Sequence, residues 1–207
     1  MLSRILNQQV PTSAGAIVMA TRILLLGALH KVVSHHKDLA ILSTILVIFL
    51  LFILFMAFGR DMIHGLMWER HLRDPISSFE VGTWVAATSI SILVMRNFAP
   101  FLKAVAFTQF LLNCLWTIGY IVIIIRNYAE LFKSTGAILR GKVHGIFLLA
   151  CVAIQSMIAS GQSVLGRLFV NIYGTWLWWF EFFLYGLGLA FILNRYIRSK
   201  SHNLTEN

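Results

Sequence analysis

Cysteine is scarce in this sequence: only Cys114 and Cys151 occur among its 207 residues, and both lie inside long apolar runs. No CxxC pair or other metal-binding spacing is present, which excludes a disulfide framework and a cysteine zinc site. The sequence also lacks a GxSxG motif, an HExxH motif and a pair of aspartates within one apolar run. Because those patterns carry hydrolytic and metal-dependent chemistry, we predict that the protein is not an enzyme.

Charge is also rare, at 12% of the residues, whereas soluble domains contain about 25%. Acidic residues are the fewest, with 8 Asp and Glu against 17 Lys and Arg, which gives a formal net charge of +9. The basic residues do not form one amphipathic face, because they fall between the apolar runs. That placement is typical of membrane topology signals and argues against a nucleic-acid partner.

In place of charge the sequence has six long apolar runs, at about 14–33, 39–59, 78–95, 100–125, 143–160 and 171–194. An α-helix needs about 20 apolar residues to cross roughly 30 Å of hydrocarbon. The runs leave no room for a separate soluble domain. We therefore predict an all-α, polytopic integral membrane protein with about six transmembrane helices, in which residues 1–207 form a single transmembrane domain.

The distribution of Lys and Arg predicts the orientation. Eleven of them lie in the N-terminal segment, the 60–77 and 126–142 loops and the tail, against five on the opposite side. By the positive-inside rule, both termini are cytoplasmic and the helices pair as three hairpins that close on the outer face. We expect a multi-pass protein of the cell (plasma) membrane.

Helices one, three and five are richer in small and weakly polar residues than helices two, four and six. Gly, Ala, Ser and Thr permit close helix packing, whereas uniformly Leu-, Ile- and Phe-rich helices suit a lipid environment. This predicts odd helices in an inner ring and even helices outside. The inner ring surrounds a solute pathway in one interpretation and is plain helix packing in the other.

Charged residues inside the runs are candidates for function. Arg22 in the first run is costly in a bilayer, and it either attracts anions or reaches the interface or a carboxylate. Glu80 complements the dipole at the start of the third helix or pairs with Arg22. Glu181, among aromatic residues in the sixth run, is protonated, contacts a neighbouring subunit or couples to protons.

Neutral polar residues complete the predicted substrate pathway. They either line a wet path or join helices through hydrogen bonds worth about 0.6 kcal/mol each. The pathway candidates are Thr21, Arg22, Glu80, Thr83, Thr88, Gln155, Ser156 and Ser160. All seven histidines fall at predicted span ends, in loops or in the tail, which disfavours a bis-histidine haem. We predict no cofactor and no metal.

Four segments resemble the tellurite-resistance/C4-dicarboxylate transporter family, which includes the plant slow anion channels. VPTSAGAIVMATRILLLGALH (10–30) is similar to its first helix, with Met19, Ala20 and Thr21 matching and Arg22 in place of a glycine. The other three are similar to the start of its third helix, to its fifth helix and to the end of its sixth, namely RDPISSFEVGTWVAATSISIL (73–93), GIFLLACVAIQSMIASG (145–161) and LYGLGLAFILNRYIR (184–198).

The resemblance implies a channel or transporter for a small anion or organic acid, with odd helices lining a pore and a homo-oligomer, a trimer, as the assembly. The family has ten helices in five hairpins, and this sequence matches the first three hairpins. We therefore expect a truncated or split member, or an assembly of more than one subunit. The alternative is a non-transporting membrane assembly subunit or an inactive fragment.

Overall fold

The structure, a computed structural model, describes residues 11–27, 35–133 and 145–205, with side chains for all of these except Arg22 and 198–205. The fold is all-α, with 92% of residues helical and no strands in the described ranges. We number the long helices in chain order: α1 Gly15–Leu26, α2 Lys37–Ile63, α3 Gly82–Phe98, α4 Lys103–Phe132, α5 Leu149–Leu165 and α6 Thr175–Thr205.

Short helical turns precede or join these helices. Single 3-10 turns lead into four of them, at Thr12–Ala14, Ser77–Val81, Pro100–Leu102 and Gly145–Leu148. Wider π-helical turns lie at Trp68–Leu72, between α2 and α3, and at Val170–Gly174, before α6. Asp74 stabilises the turn ahead of α3, because its carboxylate accepts the backbone N–H groups of Ile76 and Ser77.

Within the described ranges, five helical segments are long and apolar enough to cross a membrane: Lys37–Ile63, Ser77–Phe98, Pro100–Phe132, Gly145–Leu165 and Arg167–Ile197. They coincide with predicted runs two to six, and several extend beyond them. The first apolar helix is described over Thr12–Leu26, which is shorter than a membrane span. The rest of the predicted first run, from residue 28 to 33, lies outside the described residues, so the six-span topology stays a prediction.

The segment Ser77–Phe98 lies at the centre of the bundle. It packs against α1, α2, α4 and α5, and 89% of its most apolar stretch is buried, against 28% for α2 and for α4 and 17% for α6. The outer helices instead expose many large apolar side chains, among them Phe49, Phe52 and Leu112. An apolar exterior of this extent is suited to lipid rather than water.

Glycine permits the closest helix contacts around α3. A Cβ atom at Gly15 would lie 2.6 Å from the carbonyl carbon of Thr83, so α1 and α3 meet at backbone distance. A Cβ at Gly82 would overlap the Tyr120 hydroxyl and lie 3.1 Å from the carbonyl oxygen of Leu149. The small residues noted in the sequence are therefore used for helix packing, as expected for membrane helices.

Candidate functional site

A buried carboxylate at the end of α2 is the centre of the most connected polar cluster. Asp61 is 1% exposed. Its Oδ1 accepts a hydrogen bond from Arg70 Nη1 at 2.7 Å and a longer one from Arg60 Nη2 at 3.4 Å. Burying an ionised carboxylate is costly unless it is paired and hydrogen-bonded, and two guanidinium groups meet that requirement here.

His71 extends this cluster to the start of α1. Its Nε2 lies 3.2 Å from Asp61 Oδ2, and its Nδ1 lies 2.9 Å from the Thr12 hydroxyl. Because a carboxylate only accepts, Nε2 carries the proton. In the neutral ring, Nδ1 then accepts from Thr12. The Thr12 carbonyl in turn accepts the indole N–H of Trp84 at 2.6 Å. We call Thr12, Asp61, Arg70, His71 and Trp84 the polar clasp.

Local backbone structure places the polar clasp. Gly65 has a positive φ of 70° and ends α2, a conformation that glycine adopts without strain. The π-turn that follows carries Arg70 and His71 back over Asp61. Arg126 of α4 fixes this turn from outside, with its guanidinium 4.4 Å from the centre of the Trp68 ring and a hydrogen bond to the Leu72 carbonyl.

The polar clasp has a structural role, because it joins the start of α1 to the end of α2 and to α3. Thr12, Asp61 and His71 are 7%, 1% and 3% exposed, and the Thr12 hydroxyl and both His71 ring nitrogens already have partners within the clasp. Next to it lies a polar cavity of about 400 Å³, lined by both charge signs: Glu69, Arg70, His71, Arg73, Asp74, Pro75 and Ser77. This cavity lies at the end of the bundle that the sequence predicts to face the cytoplasm.

The predicted pathway hydroxyls bond to carbonyls of their own segments. Thr21 donates to Ile17, Thr83 to Glu80, Thr88 to Trp84, Ser156 to Ala153 and Ser160 to Met157, at 2.7 to 3.0 Å. All except Thr21 are buried. Thr83 also contacts the Thr12 carbonyl at 3.4 Å. These hydroxyls are satisfied without a solute, which is the pattern of plain helix packing.

Three other predicted residues are placed differently. Gln155 is exposed on α5, and within the described residues its side chain has no hydrogen-bond partner. Glu80 is partly exposed in the turn leading into α3. The Arg22 side chain lies outside the described residues, so its pairing with Glu80 and its role toward anions stay predictions. Thr83 and Glu80 lie together in the structure, but the predicted pathway residues as a group do not line one common surface.

Two buried amides on α4 were not predicted from the sequence, which placed this helix in the apolar outer ring. Asn113 donates to Ser89 Oγ at 2.7 Å, and Asn127 donates to Ser78 Oγ at 2.7 Å. Both serines belong to the central segment, so α4 holds α3 by side-chain hydrogen bonds. The sequence did contain a signal for these amides, namely polar residues at helical spacing. Asn113, Thr117, Tyr120 and Asn127 share the buried face of α4. The polar clasp was missed as well.

Within the described residues, no group of three or more His, Cys, Asp or Glu side chains could hold a metal ion. No family model, curated protein or solved structure matches the chain.

Proposed function

We propose that the chain is a membrane transport subunit for small anions or organic acids, of the tellurite-resistance/C4-dicarboxylate type. In this proposal three hairpins place α1, α3 and α5 inside and α2, α4 and α6 toward lipid, in the cell membrane, with both termini cytoplasmic. The observation that carries it is the enclosure of the small-residue segment Ser77–Phe98, whereas α2, α4 and α6 expose apolar surfaces.

Two features support a solute pathway along the odd helices. An exposed glutamine at membrane depth, Gln155, is expected to face protein or water rather than hydrocarbon. At the end where α1 and α3 begin, the polar cavity offers the guanidinium groups of Arg70 and Arg73 as hydrogen-bond donors to an anion, beside the carboxylates of Glu69 and Asp74. The pathway would run from this cavity along the Gln155 face of α5.

The test is flux of chloride and of a C4-dicarboxylate through proteoliposomes containing the purified protein. Gln155→Leu, which keeps the approximate size of the side chain and removes the amide, is expected to reduce flux. Arg22→Gly is expected to alter anion selectivity. Arg167→Gly, in the segment between α5 and α6, is the control and should leave both unchanged. Equal flux in all four proteins would contradict the pathway.

A non-transporting assembly subunit is the second candidate, and the hydroxyls of Thr83, Thr88, Ser156 and Ser160 favour it. Each already has a backbone partner, so none awaits a solute. Folded, correctly inserted protein that conducts neither anion would support this alternative over transport.

A further inference from the structure

One carboxyl group, that of Glu181, lies midway along the membrane-length segment Arg167–Ile197. No other Asp, Glu, Lys, Arg or His occurs between Arg167 and Arg195, and each of these arginines is fourteen positions from Glu181. That separation is about 21 Å along a helix at 1.5 Å per residue. An arginine on the same helix therefore does not reach the carboxyl group.

The elements packed against α6 supply no counter-charge either. α5, the 3-10 turn before it and the π-turn before α6 contact α6, and none of them contains Asp, Glu, Lys, Arg or His. α4 reaches α6 through the stacked rings of Tyr128 and Phe191. The titratable side chains on these neighbours are Cys151 of α5, Tyr128 of α4 and the exposed Tyr173 of the π-turn. Within the described residues, Glu181 has no ion pair.

The Glu181 carboxyl group is also short of hydrogen bonds. Its Oε2 is buried and has no hydrogen-bond partner in the described part of the chain. An ionised carboxylate at membrane depth is costly unless a cation or hydrogen-bond donors face it. A carboxylic acid that keeps its proton avoids this cost, because it carries no charge. The bound proton is part of the side chain, so a buried oxygen atom holds it without any exposed surface.

A second unpaired group lies along the same face of α6. Glu181, Leu184 and Gly188 are spaced by three and four residues, the spacing of one helical face, and Leu184 is 2% exposed. A Cβ atom at Gly188 would lie 3.6 Å from the Tyr128 hydroxyl, which is buried without a partner. Cys151 of α5 lies within electrostatic range of both Glu181 and Tyr128. Three titratable groups therefore line one contact between α4, α5 and α6, and Tyr128 lies near the end of α4 that is predicted to face the cytoplasm.

We propose that Glu181 is a proton-binding site inside the membrane, which holds its proton at neutral pH and exchanges it with water at the end of the bundle where Tyr128 lies. On release, the O–H bond of the acid breaks, its electron pair stays on the carboxylate and the proton passes to water. The Tyr128 hydroxyl and the Cys151 thiol each donate and accept, so they pass a proton on without a net change in their own charge. Ionisable residues inside membrane segments commonly belong to proton relays. The site does not depend on the proposed transport function, because no solute takes part.

The first test is the infrared spectrum of the full chain in phospholipid vesicles at neutral pH. The difference between the wild type and Glu181→Gln is expected to contain the C=O stretch of a neutral carboxylic acid, and carboxylate bands in its place overturn the proposal. Dicyclohexylcarbodiimide, which adds as a whole to a protonated carboxyl group in apolar surroundings, supplies a second measurement on the wild type. Mass spectrometry should find the adduct at Glu181 and not at Glu130, which is exposed and paired with Lys133. Where Glu181→Gln does not fold, the absence of an adduct at Glu181 overturns the proposal.

Transfer of the vesicles into D₂O tests the exchange with water. The C=O band should shift as the O–H group of Glu181 becomes O–D, and Tyr128→Phe should slow that shift severalfold. Tyr185→Phe is the matched control and should leave the rate unchanged, because Tyr185 lies about one helical turn from Glu181 but is exposed. A band that does not shift means that the carboxyl group is sealed from water. Equal rates in the wild type and both variants exclude the route past Tyr128, and either result overturns the proposal.

Discussion

The Thr12 hydroxyl lies 2.9 Å from Nδ1 of His71, although 59 positions separate the two residues in the chain. Thr12 begins the 3-10 turn that leads into α1, and His71 lies in the π-turn between α2 and α3. The contact therefore joins the start of α1 to the connection between α2 and α3. Through Asp61 and Trp84 it reaches the end of α2 and the body of α3 as well.

Asp61→Asn should destabilise the protein by about 2–4 kcal/mol. Breaking a fully buried ion pair costs about 3–5 kcal/mol, and the partial exposure of Arg70, 28% for its side chain, lowers that value. Thermal unfolding in detergent measures the change. Glu130→Gln is the control, because its pair with Lys133 is exposed and should contribute at most about 1 kcal/mol. Equal effects of both variants would contradict a stabilising polar clasp.

Thr12 and His71 should be energetically coupled. Thr12→Val removes the hydroxyl and keeps the carbonyl that accepts the Trp84 N–H, so its cost should be about 1 kcal/mol. His71→Ala should cost more, since it also leaves Asp61 with one partner fewer. A double-mutant cycle of unfolding free energies measures the coupling. Strictly additive changes would show that the 2.9 Å contact contributes nothing to stability.

Gly15→Ala should destabilise the contact between α1 and α3 by about 1–3 kcal/mol, the usual cost of overpacking. The new methyl group would lie 2.6 Å from the backbone of Thr83, which cannot move aside like a flexible side chain. Gly59→Ala, inside α2, meets nothing within 4 Å and should be neutral or stabilising by up to about 1 kcal/mol. Equal changes in unfolding temperature for Gly15→Ala and Gly59→Ala, relative to the wild type, would refute the close packing.

Topology reporters fused at Asn207 and inserted at Ser34 should report opposite sides of the membrane. The expectation follows from the excess of Lys and Arg on one side of the predicted spans. Detection of both reporters on the same side would rule out six spans. Reporter activity at Lys133 should match that at Asn207, since both positions fall on the predicted cytoplasmic side.

A single cysteine at Gln155 should react with a small water-soluble thiol reagent faster than one at the neighbouring Ser156. Gln155 is exposed and Ser156 is buried. Because the two residues are adjacent and lie at nearly the same depth, a difference between their reaction rates reports the access of the reagent and not the depth. Cys114 and Cys151, both free thiols, are replaced by alanine first. Equal protection at the two positions would place Gln155 against lipid or protein and remove water from that face of α5.

The helices were predictable because bilayer thickness fixes their length. Runs two to six of the sequence correspond to Lys37–Ile63, Ser77–Phe98, Pro100–Phe132, Gly145–Leu165 and Arg167–Ile197. Their ends were less predictable, as α4 continues to Phe132 on residues such as Asn127 and Tyr128. Backbone hydrogen bonding extends a helix past its apolar part, and hydrophobicity alone does not mark that limit.

The polar clasp could not be predicted, because it depends on the chain reversing at Gly65. His71 and Asp61 look like ordinary interfacial residues until the π-turn brings one over the other. For the predicted pathway residues, the sequence indicated the residue types and their helices but not the groups that their hydroxyls contact. Composition placed Thr83, Thr88 and Ser160 on two small-residue helices. Side-chain rotamers decide whether a hydroxyl contacts a solute or the backbone of its own segment, and here each donates to the backbone.

The central position of Ser77–Phe98 also has a consequence for biosynthesis. This segment has the lowest mean hydropathy of the five membrane-length segments in the described ranges, 1.4 against 3.1 for Lys37–Ile63, so it gains the least from transfer into lipid. Its stabilising partners, Asn113 and Asn127 of α4 and the packing face of α5, are synthesised later. The ribosome therefore completes this segment when only α1 and α2 exist to cover it, and the faces that α4 and α5 cover stay unpaired until those helices are made.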